Sequence, residues 1–165
     1  MNLILEINNK TGCKVEKYLL EKIFQSTIRK TKKFEILSGK KVSVSVALVS
    51  LDEIRQINKK YRKKDTPTDI LSFSNFENLS EKEKIKKNIF LGEIILCCEY
   101  IKKSAKINNM SFSAELCYIF SHGVLHLLGI RHGKEMFSIQ DSVVGLFFAK
   151  KCLDNDEYVN PKIKK

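Results

Sequence analysis

A chain of 165 residues has the size of one ordinary domain and leaves no room for a second large one. With 43% hydrophobic and 30% charged residues spread along it, the chain is neither disordered nor collagen-like, and it can bury a core without disulfide staples. Thirty Lys and Arg against nineteen Asp and Glu leave a formal charge of +11, which points to a polyanionic partner, although a Lys-, Ile- and Asn-rich composition is also what AT-rich coding supplies.

In chain order, Leu3, Leu5 and Ile7 alternate with Ile4, Glu6 and Asn8, predicting a short strand that ends in the turn Asn9-Lys10-Thr11-Gly12. From Val15, the positions Leu19, Leu20, Ile23, Phe24 and Ile28 recur with helical spacing, and this helix runs out into Arg29-Lys30-Thr31-Lys32-Lys33. Val42, Val44, Val46 and Leu48 alternate with Ser43, Ser45 and Ala47, the clearest strand of the chain. Ser50-Leu51-Asp52-Glu53 reads as a capping box opening a helix with Leu51, Ile54, Ile57 and Tyr61 on one face, followed by a polar loop closed by Pro67.

Residues 70–73 and 89–97 read as strands, with the charge-dense stretch 77–87 between them as a solvated hairpin excursion. Helical periodicity returns over 98–107 and 111–128, broken at Asn108-Asn109-Met110 and closed by Gly129 as a C-terminal cap; a last helix is expected over 136–153. The order predicts an α+β domain over 1–153, in which one small mixed sheet packs against helices with a histidine-bearing helix in its core, and a basic tail over 154–165. No apolar run approaches the roughly 18 residues of a membrane span, and the first residues lack the basic region and apolar stretch of a secretion signal. A cytoplasmic protein with no membrane partner is expected. The five cysteines form no C-x-x-C pair and are expected to be idle thiols in a reducing compartment.

All three histidines of the chain fall in one eleven-residue segment, from His122 through His126 to His132. His122 and His126 stand at i and i+4, on one face of the predicted helix, where two imidazoles can converge on one ion at the roughly 2.0–2.1 Å of a Zn–N bond. A left-handed turn at Gly129 would swing the chain back so that His132 supplies a third ligand. Two histidines at this spacing are more often a satisfied, partly buried pair; the third, after a glycine turn, favours a metal. Three neutral ring nitrogens leave a fourth position open, as in catalytic rather than structural zinc sites. The spacing H-x3-H-x2-G-x2-H equals that of metzincin proteases, but Gly123 stands where their general-base Glu must be.

The segment His122-Gly123-Val124-Leu125-His126-Leu127-Leu128-Gly129, with His132, resembles the H-G-x-L-H-L-x-G-x-x-H hallmark of the YbeY endoribonucleases, bacterial rRNA maturation factors. A second block of that family, N-x-x-Y-R-x-x-D-x-P-T-D-V-L-S-F, is matched by Asn58, Tyr61, Arg62, Asp65, Pro67, Thr68, Asp69, Ile70, Leu71, Ser72 and Phe73, and Leu91-Gly92-Glu93-Ile94 is similar to its L-G-D-I strand. The resemblance implies an α+β fold, one zinc ion held by His122, His126 and His132, and a functional Arg62 in the cleft. It also implies single-strand-specific RNA cleavage in the maturation and quality control of the 16S rRNA of the small ribosomal subunit, with RNA and the ribosome or its assembly factors as partners. Arg131 replaces the family's usual Asp, Ile130 a Tyr, Glu93 an Asp and Ser74 a Pro. A guanidinium at 131 can neither orient a ligand histidine nor share a proton with it as a carboxylate can.

On this reading zinc would lower the pKa of its water to about 7 and polarise a phosphoryl oxygen, while Arg62 braces the scissile phosphate. Lys59, Lys60, Lys63 and Lys64 would track the RNA backbone, Tyr61 or Phe73 could stack a base, and Asp65 and Asp69 could orient histidines or shuttle a proton. The bland alternatives are a solvated helix end, core aromatics and turn-capping carboxylates. Two other functional classes compete: a ribosome-assembly RNA-binding factor with structural zinc, in which Cys117 could be the fourth ligand, and a zinc peptidase in which Glu93 or Glu135 replaces the missing base.

Overall fold

In the computed structural model, residues 1–76 and 86–148 are described. The alternation at 42–48 is realised as β2 (Lys41–Leu48), whose Val42, Val44, Val46 and Leu48 are all buried while Ser43, Ser45 and Ala47 are half-buried. Beside it run β1 (Asn2–Asn9) and β4 (Asn88–Leu96), both parallel to β2, and β3 (Ile70–Ser74) closes the far edge antiparallel to β4. The sheet order is β1-β2-β4-β3, a mixed sheet as the element order predicts. Parallel neighbours require crossovers, and these are α1 (Lys17–Arg29) before β2 and α3 (Leu51–Arg62) after it. Between α1 and β2 the chain makes one further helical turn, α2 (Phe34–Leu37), which buries Leu37; four residues are too few for periodicity to reveal.

Three further helices complete the domain: α4 (Cys98–Ile107), α5 (Phe112–Leu127) and α6 (Lys134–Phe148). The main core lies between one sheet face and α1, α5 and α6, where Leu20, Ile23, Phe24, Val124, Leu125 and Val143 meet Leu5, Val44, Leu91 and Ile94. Burying each of these side chains contributes about 1.5–3 kcal/mol. A smaller cluster on the opposite face joins Ile54, Leu51 and Ile57 of α3 to Leu71, Phe73 and Ile95.

The cap of α3 is half of the predicted box: Ser50 Oγ accepts from Glu53 N at 3.2 Å, but the Glu53 carboxylate turns away to accept from Lys10 Nζ at 2.9 Å. Between Ser43/Phe90 and Ser45/Glu93 the β2–β4 ladder spends one extra residue on β4, a bulge at Leu91-Gly92. Gly92 has φ +132°, and a Cβ there would lie 2.1 Å from the Phe73 carbonyl oxygen, so only glycine lets β3 approach at that point. The last helix starts two residues before the predicted 136. Its predicted end at 153, the tail 154–165 and most of the excursion 77–87 lie outside the described residues. Among the described residues no helix is long and apolar enough to cross a membrane.

Candidate metal centre

Helix α5 is buried almost all round, from Ala114 through Leu127, because it lies on β3 and β4 with α1, α4 and α6 around it. Ser111 caps it, with Oγ accepting from Ala114 N at 3.2 Å. Gly123 allows the close seat on the sheet: a Cβ would stand 2.5 Å from Ile70 Cδ1 and 3.4 Å from Ile94 Cδ1. The helix ends as the glycine predicts. Gly129 has φ +76° and donates to His126 O, while Ile130 N donates back to Leu125 O, the paired bonds of a Schellman turn. Ser74 Oγ donates to another of the terminal carbonyls, Leu127 O, at 2.8 Å, which a proline there could not do.

That turn brings His132 against the two helical histidines. The three Nε2 atoms form a nearly equilateral triangle, with His126–His122 at 3.0 Å and His126–His132 and His132–His122 both at 3.1 Å. Its centre is about 1.8 Å from each nitrogen, close to the roughly 2.0–2.1 Å of a Zn–N bond, so the three nitrogens could hold one such ion together. The histidines form a group able to hold a metal ion. Three ring nitrogens aimed at a common point lack room for three protons, and a cation is what satisfies three lone pairs there.

His122 is held in the required tautomer. Gln140, fully buried on α6, donates through Nε2 to Tyr118 O at 3.1 Å, which turns its Oε1 toward His122 Nδ1 at 3.3 Å. The Nδ1 proton is accepted there, and Nε2 keeps its lone pair for the triangle. Burial, followed by repulsion from His122 and His132, pushes the pKa of His126 down to about 4, so that ring is neutral throughout the physiological range.

The triangle opens into a cleft of about 570 Å³ whose lining includes Arg62, Lys64, Asp69, Ser72 and the three histidines. Arg62 also shares a recess with His126, Ser72 and Ser74. Its Nη2 donates to Ser72 O at 3.1 Å, and its guanidinium carbon stands 5.8 Å from the centre of the Phe73 ring. The loop that carries Lys64 and Asp69 is pinned by Asn58, buried at the end of α3, whose Nδ2 donates to Thr66 O at 2.8 Å. Lys63 ends that helix in the left-handed conformation, φ +61°.

The four predicted lysines part ways. Lys64 lines the cleft. Lys59 is ion-paired with Asp65 at 2.8 Å, Lys60 lies over the Tyr61 ring, and Lys63 Nζ donates to Lys60 O at 3.2 Å. Asp65 also accepts from Arg55 Nε at 2.8 Å, and these hydrogen bonds to Lys59 and Arg55 hold its carboxyl below the ordinary range. Its partners are therefore these two cations, and the expectation that it orients a histidine is not met. Asp69 does line the cleft, with Oδ1 accepting from Ile70 N and Thr68 Oγ1. Phe73 packs into the smaller cluster, while Tyr61 meets its ring edge at 5.1 Å and stays exposed.

Neither carboxylate a peptidase would need lines the histidine cleft. Glu93 pairs in register with Phe73, on the strand positions facing away from buried Ile94, and Glu135 lines an adjoining cavity that His132 also borders. Cys117, which burial pushes up to about 12, is outside the histidine group. Gln140, Asn58 and Ser74 escaped prediction as supports of the site; Asn58 carried a signal in its place in the second sequence block, and Ser74 in standing where the family has a Pro.

A family model described as Endoribonuclease YbeY matches residues 6–144. Among similar proteins is the Endoribonuclease YbeY of Bacillus subtilis, 35% identical over 159 residues that cover 92% of this chain and 99% of the relative. That of Malacoplasma penetrans is 38% identical, covering 79% of this chain and 89% of the relative. The solution structure of TM1509 from Thermotoga maritima aligns with a TM-score of 0.56 at 29% identity, covering 96% of this chain and 98% of that one.

Proposed function

From the chain's membership of the YbeY endoribonuclease family, we propose that it is a single-strand-specific, zinc-dependent endoribonuclease acting in 16S rRNA maturation and ribosome quality control in the cytoplasm. The observation that carries the reading is the meeting of three convergent histidine Nε2 atoms and one arginine in a single open cleft. His122, His126 and His132 would hold one Zn²⁺. When bound, the ion supplies Lewis acidity toward a phosphoryl oxygen and lowers the pKa of its water to about 7.

The chain's own side chains do the rest. Gln140 keeps the His122 ring oriented. Arg62 has five N–H donors and places one on Ser72 O, which leaves a planar fork for the scissile phosphate and for the charge that grows on it. Lys64 draws the backbone into the cleft, with Lys59, Lys60 and Lys63 adding to the positive potential around it. Small-subunit rRNA, on the ribosome or with its assembly factors, fits this polyanion-directed site. An assembly factor with purely structural zinc fits less well, because the group has three protein ligands among the described residues and faces a cleft rather than a closed four-ligand cage.

The test is metal analysis of the purified protein beside digestion of single-stranded RNA, duplex RNA and single-stranded DNA. One zinc per chain with cleavage confined to single-stranded RNA is expected; zinc-loaded protein that leaves single-stranded RNA intact would overturn the proposal.

A further inference from the structure

We propose, resting on the nuclease reading above, that a second cavity on the other side of His132 is a phosphate-binding subsite for the same RNA strand. This cavity, of about 550 Å³, is lined by Lys32 and Lys33 from the turn between α1 and α2, by Arg131 from the turn that carries His132, and by Lys134, the first residue of α6. Two segments about a hundred residues apart in sequence thus place four cations around one hollow, against the single carboxylate of Glu135. None of the four is ion-paired with a described residue; Lys33 Nζ stands 6.0 Å from the Phe76 ring centre, and Lys32, Arg131 and Lys134 are exposed. Four like charges around one carboxylate leave a net repulsion, and an anion lying among them relieves it.

The position of the cavity selects the anion. His132 lines both hollows, so the histidine group stands at the junction between a cleft holding Arg62 and Lys64 and a hollow holding Lys32, Lys33, Arg131 and Lys134. A mononucleotide needs only one of them. A strand crossing the histidines puts phosphates in both, on the two sides of the bond to be cut. Arg131 gives the subsite a planar fork suited to a phosphodiester, and an Asp at this position would subtract from the same field.

The experiment uses the zinc-loaded full chain, with anisotropy of a fluorescent single-stranded RNA titrated with salt and steady-state cleavage of the same sequence. Lys32→Ala with Arg131→Ala is expected to flatten the slope of log affinity against log salt by about 1.4, at about 0.7 per lost contact. KM should rise more than kcat falls. Lys32→Arg with Arg131→Lys should restore the slope, and the single exposed substitution Arg131→Glu should weaken binding further than Arg131→Ala. Removing the same charge at Lys102 and Lys103, which line neither cavity, should leave the slope in place. An unchanged slope in the Lys32/Arg131 variant of an enzyme that still cleaves RNA would overturn the subsite and leave the nuclease reading standing, as would equal flattening in the Lys102/Lys103 control. Failure of the unsubstituted protein to bind or cleave single-stranded RNA would overturn both.

Discussion

Replacing Gln140 with Leu is expected to weaken zinc binding although residue 140 is not itself a ligand. The substitution keeps much of the volume at a fully buried position but deletes the acceptor that faces His122 Nδ1 at 3.3 Å and the donor to Tyr118 O at 3.1 Å. Two hydrogen bonds at about 0.5–1.5 kcal/mol each predict a loss of about 1–3 kcal/mol in the stability of the metal-free fold. Freed from its acceptor, the imidazole of His122 can turn or place its proton on Nε2, and either change removes a lone pair from a triangle whose sides are 3.0–3.1 Å. Loss of such a support typically costs about 10- to 100-fold in metal affinity, or about 1.4–2.7 kcal/mol. Competition for Zn²⁺ against a chromophoric chelator measures the affinity, and urea unfolding of the metal-free protein measures the fold separately. Gln140→Glu retains an acceptor for the Nδ1 proton and should therefore hold zinc far better than the Leu variant, despite burying a carboxyl group. Equal affinity in the unsubstituted and Leu proteins, or equal losses in the Leu and Glu variants, would refute the orienting role.

His126→Ala removes one of the three converging ligands and should abolish stoichiometric zinc and RNA cleavage while circular dichroism stays native; full zinc and activity would sink the triad. With its folded pKa pushed down to about 4 from an ordinary 6.5, His126 stays neutral in the metal-free fold where the unfolded chain already binds a proton. Stability should therefore be fully present above about pH 6.5 and fall as the pH drops toward about 4, and urea midpoints across that window should lose this part of their slope in His126→Ala. Arg62→Ala should lower kcat about 10²–10³-fold with zinc content unchanged, and Arg62→Lys should recover only part of it, since an ammonium keeps the charge without the planar fork; steady-state cleavage beside metal analysis checks both. Lys64→Ala should flatten the salt dependence of RNA binding by about 0.7, whereas Lys59→Ala should change it far less because Asp65 holds that ammonium at 2.8 Å; equal slopes would place the two lysines on the same footing.

What was legible in the sequence is what neighbouring residues decide among themselves. The alternation of Val42, Val44, Val46 and Leu48, the Ser50 cap, the i, i+4 pair His122/His126 and the left-handed turn at Gly129 each depend on residues a few positions apart, and each stands in the fold as read. The convergence of His132 belongs with them, because six residues and one glycine turn suffice to return it to the helix end. Lys59 and Lys64 looked alike in one basic run, but Asp65, which also pairs with Arg55, draws the first away while the second lines the cleft. The strand order β1-β2-β4-β3, the bulge that needs Gly92 against Phe73, the placing of Gln140 behind His122 and the meeting of Lys32 with Arg131 were decided only by the tertiary structure. In each of those cases the partners lie 18 or more residues apart, and no local periodicity records a contact that exists only once the sheet and helices have packed around a common core.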